Sequence, residues 1–562
     1  MRVTTRPRPA RSFLELLERR AHEAPDAIAY TFLEEGETDG ARLTWGDLER
    51  RTRSMASAIA GHARPGARAL IVCPPGLDFI PAFFGCLTAG VIAVPSYPPR
   101  AGRHGEAQAD RTIDRLRGIV KDAAPAVIIA SPPLVHRSPA MAAAMPELAG
   151  AAWLSTEAAG DGTRPLPEVA SSAIALLQYT SGSTSAPRGV MVTHANLLHN
   201  LGYAHALARH RRGSASISWL PVNHDMGLIQ GVLQPAFSGF PAWLMSPAAF
   251  LQRPARWLQA ISRVGATVSG APNFAYDLCV RRVSEEEQRA LDLRSWRLAF
   301  NGAEPIRPST LDAFCRRFAP NGFKATAFRS AYGLAEATLL VSTGRGPSVA
   351  CGHASHGVRV EIVDPVTRRR AGPGQVGEIW VAGPSVAAGY WNRRDDNAAV
   401  FGARIAGSND GPFLRTGDLG TLGHDGLHVN GRIKDVLIVR GVKHYPQDIE
   451  ATVEASSSLV RAGCCAAFAL TSGDEEQLAL AVEVDPDRNA LELIGRIRQA
   501  VAEAHGLQVH SIALLGAGAL PKTTSGKLQR FACREGLMTG RLPAIVQWSD
   551  AAPRASALAE AS

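Results

Sequence analysis

Leu177-Gln-Tyr-Thr-Ser-Gly-Ser-Thr-Ser-Ala-Pro-Arg-Gly-Val190 joins an apolar approach to six consecutive Ser, Thr or Gly positions, 180–185, followed by Pro187 and Gly189. Small residues let backbone N–H groups come close to an anion, and hydroxyls add donors, so a loop of this composition cradles phosphate. Strand-like residues lie on both sides, at 174–177 and 190–192, which sets the stretch apart from a flexible Ser/Gly linker. No Gly-Lys-Ser/Thr follows the first glycine at Walker A spacing, so this is a different kind of nucleotide loop.

Working outward, the 562-residue chain is too long for one ordinary core, and two or more domains are expected. Hydrophobic residues make up 46% and charged residues 20%, the profile of a soluble globular protein. The net charge of +9 is spread over scattered arginines, with no basic run interleaved with aromatics, which argues against a nucleic-acid binder. Such a surface still attracts ATP or an acidic carrier protein. The eight cysteines show no Cys-x-x-Cys pair and no metal-finger spacing, so reduced thiols and a cytoplasmic location are expected. No secretory signal is read at the basic start, and the longest apolar stretch, 82–94, is short and holds two glycines. It reads as a buried helix, turn and strand rather than a membrane span.

Ser12-Phe-Leu-Glu15 is a capping box ahead of an amphipathic helix with Phe13, Leu16 and Leu17 on its apolar face. Strands are expected at 68–73, 90–94 and 126–130, and helices at 78–89 and 111–122. This alternation predicts an α/β chain with helix-covered parallel sheets. Residues 131–168 read as surface loops and short helices, and further strands are expected at 266–269 and 298–300. From residue 358 the texture turns to short β runs at 358–363, 377–381 and 426–429, a small β-rich subdomain spanning about 350–433. A domain boundary is placed at about 433. Beyond it, strands at 436–439, 466–470 and 478–484 and helices at 446–453 and 490–504 predict a small α+β C-terminal domain over 434–550. The Ala, Ser and Pro tail, 551–562, is expected to be disordered.

Four further segments fit the phosphate loop. Asn301-Gly-Ala-Glu-Pro305 is a strand end and tight turn against which a planar base can lie. Tyr332-Gly-Leu-Ala-Glu336 places an aromatic four residues before a carboxylate, suited to a base and to Mg²⁺ bridging phosphates. Arg415-Thr-Gly-Asp418, with Gly431-Arg-Ile-Lys-Asp435, offers a carboxylate and Arg432 for ribose hydroxyls. Pro521-Lys-Thr-Thr-Ser-Gly-Lys527 is a loop ending in lysine. Only six of the sixty basic residues are lysine, so Lys434, Lys522 and Lys527, each inside a motif, stand out as functional candidates.

Together these motifs resemble the acyl-adenylate-forming superfamily of acyl-CoA synthetases, nonribosomal-peptide adenylation domains and luciferases, over nearly the whole chain. Within it the chain is most similar to fatty acyl-AMP ligases. That likeness rests on Val94-Pro-Ser-Tyr-Pro-Pro-Arg100, Ser218-Trp-Leu-Pro-Val-Asn-His-Asp-Met-Gly-Leu228, Phe250-Leu-Gln-Arg-Pro-Ala-Arg-Trp257, Gly270-Ala-Pro-Asn-Phe-Ala-Tyr-Asp277 and His444-Tyr-Pro-Gln-Asp-Ile-Glu450.

The resemblance implies a large N-terminal adenylation domain, 1–433, and a mobile C-terminal domain, 434–550, swinging about a hinge at Lys434. It implies ATP-dependent conversion of a fatty acid to acyl-AMP and pyrophosphate, then acyl transfer to the phosphopantetheine thiol of an acyl carrier protein acting in trans. The phosphates are assigned to Thr180, Ser181, Gly182, Ser183, Thr184, Arg188 and Gly189. Adenine is assigned to Asn301, Gly302, Ala303, Tyr332 and Gly333, Mg²⁺ to Glu336, and ribose to Asp418 with Arg432. Lys527 is expected to bridge the carboxylate and phosphate oxygens, and His224 to stand beside the acyl carboxylate. Met226, Gly227, Gly231, Gly270, Ala271, Pro272 and Phe274 are expected to line the acyl tunnel. The family loop often has Lys where this chain has Arg188, and Tyr where it has Asn223. Fatty acyl-AMP ligases also carry an insertion that is missing here, since only residues 343–349 separate Leu339-Leu-Val-Ser from Ala350-Cys-Gly352. That absence motivates a fatty acyl-CoA synthetase as the alternative. A catalytically inactive binding homologue is a second alternative, against which Lys527, Glu336 and Asp418 stand.

Overall fold

The computed structural model describes residues 12–98, 106–158, 160, 165–180, 187–211, 213–408, 410–439, 442–472, 475–485, 490–523 and 527–550. The expected roles of Ser181, Gly182, Ser183 and Thr184, and the expected tail at 551–562, lie outside these residues. Contacts divide the chain into two compact units. The first comprises Met1–Arg370, Trp380–Thr416 and Gly423–Leu427, and the second Ala371–Ile379, Gly417–Leu422 and His428–Ser562.

In the first unit, the described residues form a six-stranded sheet ordered Ala152–Ser155, Val127–Ala130, Arg68–Val72, Ile92–Ser96, Ile174–Thr180 and Arg188–Thr193. Its neighbours pair in parallel except the last two strands, which run antiparallel. Val127–Ala130 and Ile92–Ser96 are buried at every position, as strands covered on both faces must be. Helix Phe79–Thr88 is likewise buried along its length, so the apolar stretch read at 82–94 is a core helix, turn and strand. Strand Ala152–Ser155 at the sheet edge lies inside the stretch expected to be loops and short helices. Four residues are too few for a legible pattern, and pairing with Val127–Ala130 makes the strand.

An eight-stranded sheet follows the order Leu340–Thr343, Phe328–Gly333, Leu298–Gly302, Val268–Ala271, Ser216–Ser218, Ala242–Met245, Ile28–Glu34 and Thr38–Thr44. Its interior pairs are parallel and its two edge pairs antiparallel. Packed under it are Trp257, Tyr276, Trp296, Phe314 and Phe328. Trp257 and Trp296 meet edge-on with centroids 5.2 Å apart, as do Tyr276 and Phe314. Edge-to-face pairs of this kind contribute about 0.5–1.5 kcal/mol each beyond burial.

Short strands Arg359–Val363, Gly377–Ala382, Leu414–Gly423 and Gly426–Arg432 come next in the chain. In the second unit, Val460–Ser472, Glu475–Val484, Val509–Leu515 and Ala544–Ser549 make a four-stranded sheet with helices Pro446–Ala455, Ala490–His505 and Arg530–Met538. Glu475–Val484 and Val509–Leu515 are parallel, and helix Ala490–His505 supplies the crossover that a parallel pair requires. The architecture is the α/β fold expected, with helix-covered sheets and a small α+β unit. At the first helix, Phe13–Glu23, Ser12 Oγ accepts from Glu15 N at 3.1 Å, which is the backbone half of the expected capping box.

Candidate active site

The stem of the expected phosphate loop is an antiparallel pair in which Thr180, ending one strand, faces Arg188, opening the next. Arg188 sits between two partners: its Nη2 lies 3.5 Å from Asp396 Oδ2, and its Cζ lies 5.4 Å from the centre of the Tyr390 ring. A planar guanidinium can stack on a ring and pair with a carboxylate at once, which accounts for arginine at this position. Gly189 packs against Tyr179, where an added Cβ would come within 2.9 Å of the ring.

Tyr390 joins this stem to the expected metal carboxylate. Its hydroxyl donates to Glu336 Oε1 at 2.8 Å, and the side chain is buried. Burial, then the neighbouring Glu336 charge, pushes its pKa well above the usual phenol range, so it stays a donor. The backbone locks the arrangement from both sides. Trp391 N donates to Gly189 O and Met191 N to Gly389 O, both at 2.8 Å, while Ala387 N donates to Glu336 O at 2.9 Å. Asn397 clasps Tyr390 from the far side, accepting from its N–H at 2.6 Å and donating to its carbonyl at 2.8 Å.

The expected adenine residues sit at the C-terminal ends of parallel strands, the edge where such sheets receive ligands. Asn301 pairs in register with Ala271 and Ser330, and Gly302 with Ala331. Asn301 is fully buried, donates to Asn273 Oδ1 at 3.3 Å, and has an Oδ1 with no partner among the described residues. Ala303 follows with φ of 69°, a left-handed turn. A side chain at Gly302 would stand 2.5 Å from Ala331 O, and one at Gly333 would stand 1.8 Å from Leu339 O. Both glycines are therefore demanded by close backbone approach. Tyr332 is the next-to-last residue of the neighbouring strand, Phe328–Gly333, and Glu336 stands in the short helical turn Ala335–Ala337 just beyond.

His224 has its Nδ1 2.7 Å from Asp225 Oδ1, and a π-helical segment, Met226–Leu233, starts directly after it. Wide turns of this type are rare and gather at functional sites, and no sequence pattern announces them. Asn223 contributes its carbonyl, which accepts from Gln178 Nε2 at 2.8 Å. That bond is made by the backbone and does not depend on which side chain stands at 223. Of the expected tunnel residues, Met226, Gly227, Gly231, Gly270, Ala271 and Pro272 are buried and Phe274 is half-buried. Gly227 approaches Pro221 O so closely that a Cβ would stand 2.0 Å away, and a Cβ at Gly270 would stand 2.6 Å from that of Phe300. A small concavity, partly open to solvent, is bounded by Phe79, Tyr97, Leu220, Asn223 and Met245.

In the second unit, Arg432 Nε donates to Asp418 Oδ1 at 3.0 Å; the carboxylate is buried and the guanidinium half in solvent. Gly417, with φ of 72°, donates its N–H to Glu378 Oε1 at 3.1 Å, which shapes the turn ahead of Asp418. Lys434 lies in the helical turn Ile433–Asp435. Lys527 closes a small hairpin: its carbonyl accepts from Thr523 N at 2.7 Å, and its N–H donates to Thr523 Oγ1 at 3.0 Å. Lys522 Nζ lies 3.1 Å from Cys464 Sγ.

Contacts within the first unit thus gather Arg188 and Glu336 into one network, and contacts within the second pair Asp418 with Arg432. Tyr390, Asp396 and Asn397 were missed by sequence reasoning. The faint signal was Gly389-Tyr390 after a run of small residues. Among the described residues no group of three or more His, Cys, Asp or Glu can hold a metal ion by itself. A single carboxylate such as Glu336 does suit Mg²⁺, which is commonly held by one or two carboxylates plus substrate phosphates.

The expected adenine residues at strand ends and the braced stem at Thr180 and Arg188 are arranged as an adenylate-forming enzyme would need them. The chain belongs to the AMP-binding enzyme family, which it matches over residues 17–391. Residues 434–547 match the AMP domain of the Disco-interacting protein 2-like family. Among its relatives is a medium-chain-fatty-acid–[acyl-carrier-protein] ligase, JamA, of Moorena producens, 42% identical and covering 96% of each chain. Another is a long-chain-fatty-acid–AMP ligase, FadD23, of Mycobacterium tuberculosis, 36% identical over 91% of this chain and 93% of that one. A solved fatty acyl-adenylate ligase from L. pneumophila, in complex with acyl adenylate and pyrophosphate, superposes with a TM-score of 0.72. It is 37% identical and covers 96% of this chain and 98% of its own. No helix among the described residues is long and apolar enough to cross a membrane.

Proposed function

We propose that this protein is a fatty acyl-AMP ligase: it activates a fatty acid with ATP and passes the acyl group to the phosphopantetheine thiol of an acyl carrier protein. The observation that carries the reading is the Arg188–Tyr390–Glu336 network, which fixes a cation at the root of the phosphate loop and a carboxylate beside it. The naming of JamA for medium-chain fatty acids and acyl carrier protein supports the choice of substrate and acceptor.

In the first half-reaction the fatty carboxylate attacks the α-phosphorus of ATP; the acyl–phosphate bond forms and pyrophosphate leaves. A carboxylate is already a nucleophile, so the protein's work is positioning and charge stabilisation. The loop with Thr180, Arg188 and Gly189 holds the departing phosphates, and Asn301, Gly302, Ala303, Tyr332 and Gly333 hold adenine. Asp418, oriented by Arg432, accepts from ribose hydroxyls, a reading supported by their 3.0 Å contact. Lys527 neutralises charge where carboxylate meets phosphate, and His224, oriented by Asp225, stands at the acyl carboxylate. Glu336, with one oxygen held by Tyr390, is the residue that would hold Mg²⁺. Bound there with the nucleotide, Mg²⁺ supplies Lewis-acid neutralisation of phosphate charge. In the second half-reaction the part of the chain after Lys434 rotates, the carrier thiol attacks the acyl carbonyl, and AMP leaves.

A second acceptor, CoA, is favoured by one observation. The segment 344–349 is a short turn pinned to the adjacent strand, with Gly344 N donating to Ser330 O at 2.7 Å and Gly346 N to Phe328 O at 3.0 Å. It carries no inserted segment of the kind expected to restrain domain motion. The test is pyrophosphate release across a panel of fatty acids, followed by acyl transfer from preformed acyl-AMP to holo-carrier and to CoA. Faster loading of the carrier is the expected result. Efficient CoA thioester formation without carrier loading overturns the acceptor, and no pyrophosphate release with any fatty acid overturns the activity.

A further inference from the structure

The second unit contains a cation that the mechanism above does not use. Arg530 opens helix Arg530–Met538, three residues after Lys527, and is largely buried, with 18% of its side chain exposed. Its guanidinium grips two carboxylates. Nε and Nη2 donate to Glu450 Oε1 and Oε2, each at 2.7 Å, and Nη1 donates to Asp435 Oδ2 at 2.8 Å. Glu450, in helix Pro446–Ala455, is 4% exposed and also accepts from Ala467 N at 3.0 Å in the central sheet. Asp435 immediately follows the hinge residue Lys434.

The loop that ends in Lys527 is short and closed at its base. Gln529 N donates to Pro521 O at 3.0 Å, and Thr523 and Lys527 bond each other through backbone and side chain. Upstream, Leu520 N donates to Glu483 Oε1 at 2.8 Å. The hairpin therefore runs from the sheet into the first residue of helix Arg530–Met538. There the guanidinium fixes it at once to the helix holding Glu450 and to the chain leaving the hinge. A bidentate fork plus a third charged bond gives both strength and direction.

We propose that Arg530 is a positioning residue: it clamps the base of the Lys527 hairpin to Asp435, so that the part of the chain turning about Lys434 carries the lysine as a rigid lever. All three members of the clamp follow the hinge, and rotation about it leaves their contacts unchanged. This rests on the reading of Lys527 as the group that neutralises developing charge in adenylation. On the same reading the chain after Lys434 turns between the half-reactions and carries the lysine away from the finished adenylate, so the clamp matters for adenylation.

The experiment is Asp435→Asn, which weakens the hinge-side contact and leaves the Arg530–Glu450 fork to hold the fold. Arg530→Lys and Lys527→Ala are measured beside it. For Asp435→Asn we expect kcat for pyrophosphate release to fall about tenfold, with KM for ATP and for fatty acid within about twofold. Acyl transfer from supplied acyl-AMP to holo-carrier should change by less than about twofold, and the thermal midpoint should stay put. Arg530→Lys, whose single ammonium cannot span both carboxylates, should show the same split more strongly. Equal losses in both half-reactions, or losses that follow a lowered melting point, mean a merely structural residue and overturn the proposal. Unchanged adenylation in Asp435→Asn while Lys527→Ala is inactive overturns the clamp alone. Full turnover in Lys527→Ala overturns the reading beneath it as well.

Discussion

Tyr390 shows how much one hydroxyl can organise. Its ring supports Arg188 and its oxygen holds Glu336, so Tyr390→Phe keeps the packing and removes a single donor. A hydrogen bond to a charged group is worth about 1.5–3 kcal/mol. Pyrophosphate release should therefore slow by about tenfold or more, and the Mg²⁺ concentration for half-maximal rate should rise, with the melting point unchanged. Titrating Mg²⁺ at saturating ATP checks this, and an unaltered Mg²⁺ profile would sink the assignment of Glu336. The role proposed for Lys527 is different, acting on charge that develops only as the bond forms. Lys527→Ala should abolish adenylate formation, while equilibrium dialysis still finds ATP bound.

Helix His194–Ala208 gives the protein a pH-dependent weakness. His194 is its first residue, buried against Phe13 with ring centroids 6.2 Å apart, and burial pushes its pKa down to about 4. His210, just beyond the helix, is also lowered to about 4, by burial and then by the neighbouring His205. In the unfolded chain both titrate near 6.5. The unfolded state therefore binds more protons between about pH 6.5 and 4, and stability must fall as pH drops through that window. It is fully present above about 6.5. Each site contributes on the order of 3 kcal/mol, since every tenfold loss of proton affinity on folding is worth about 1.4 kcal/mol. Urea unfolding across that window should show the loss, and the double variant His194→Gln, His210→Gln should flatten it. The same helix carries a reciprocal capping box, Thr193 with Asn196, in which Asn stands where the usual pattern has Glu or Gln.

The two-unit organisation bears on the catalytic cycle as a whole. If the second half-reaction depends on rotation at Lys434, fixing that backbone angle must penalise transfer more than adenylation. Lys434→Pro should accordingly leave pyrophosphate release within about threefold and slow carrier loading by about a hundredfold or more, because proline locks φ. Single-turnover loading from isolated acyl-AMP measures this directly. Equal effects on both steps would argue against a hinge at this position. The pinned turn at 344–349 bears on the same cycle, since no inserted segment is present there to restrain the motion.

Motif chemistry alone determined a good deal here. The loop of small residues, Asn301-Gly-Ala303, Tyr332 with Glu336, Asp418 with Arg432, and Lys527 stand out in the sequence as candidates, because close approach to a nucleotide admits few residue types at fixed spacing; the structure brings Asp418 and Arg432 together. Buried strands such as Val127–Ala130 were equally legible from their unbroken apolar runs. Tyr390, Asn397 and Arg530 were not legible, and neither were strand Ala152–Ser155 and the π-helical turn after His224. Their roles come from partners far away in sequence: Tyr390 meets Glu336 across 54 positions, and Arg530 meets Asp435 across 95. A sequence records which side chains are available to donate or accept. Only the packing of strands and helices decides which of them meet, and so that Tyr390 holds Glu336 and Arg530 holds Asp435.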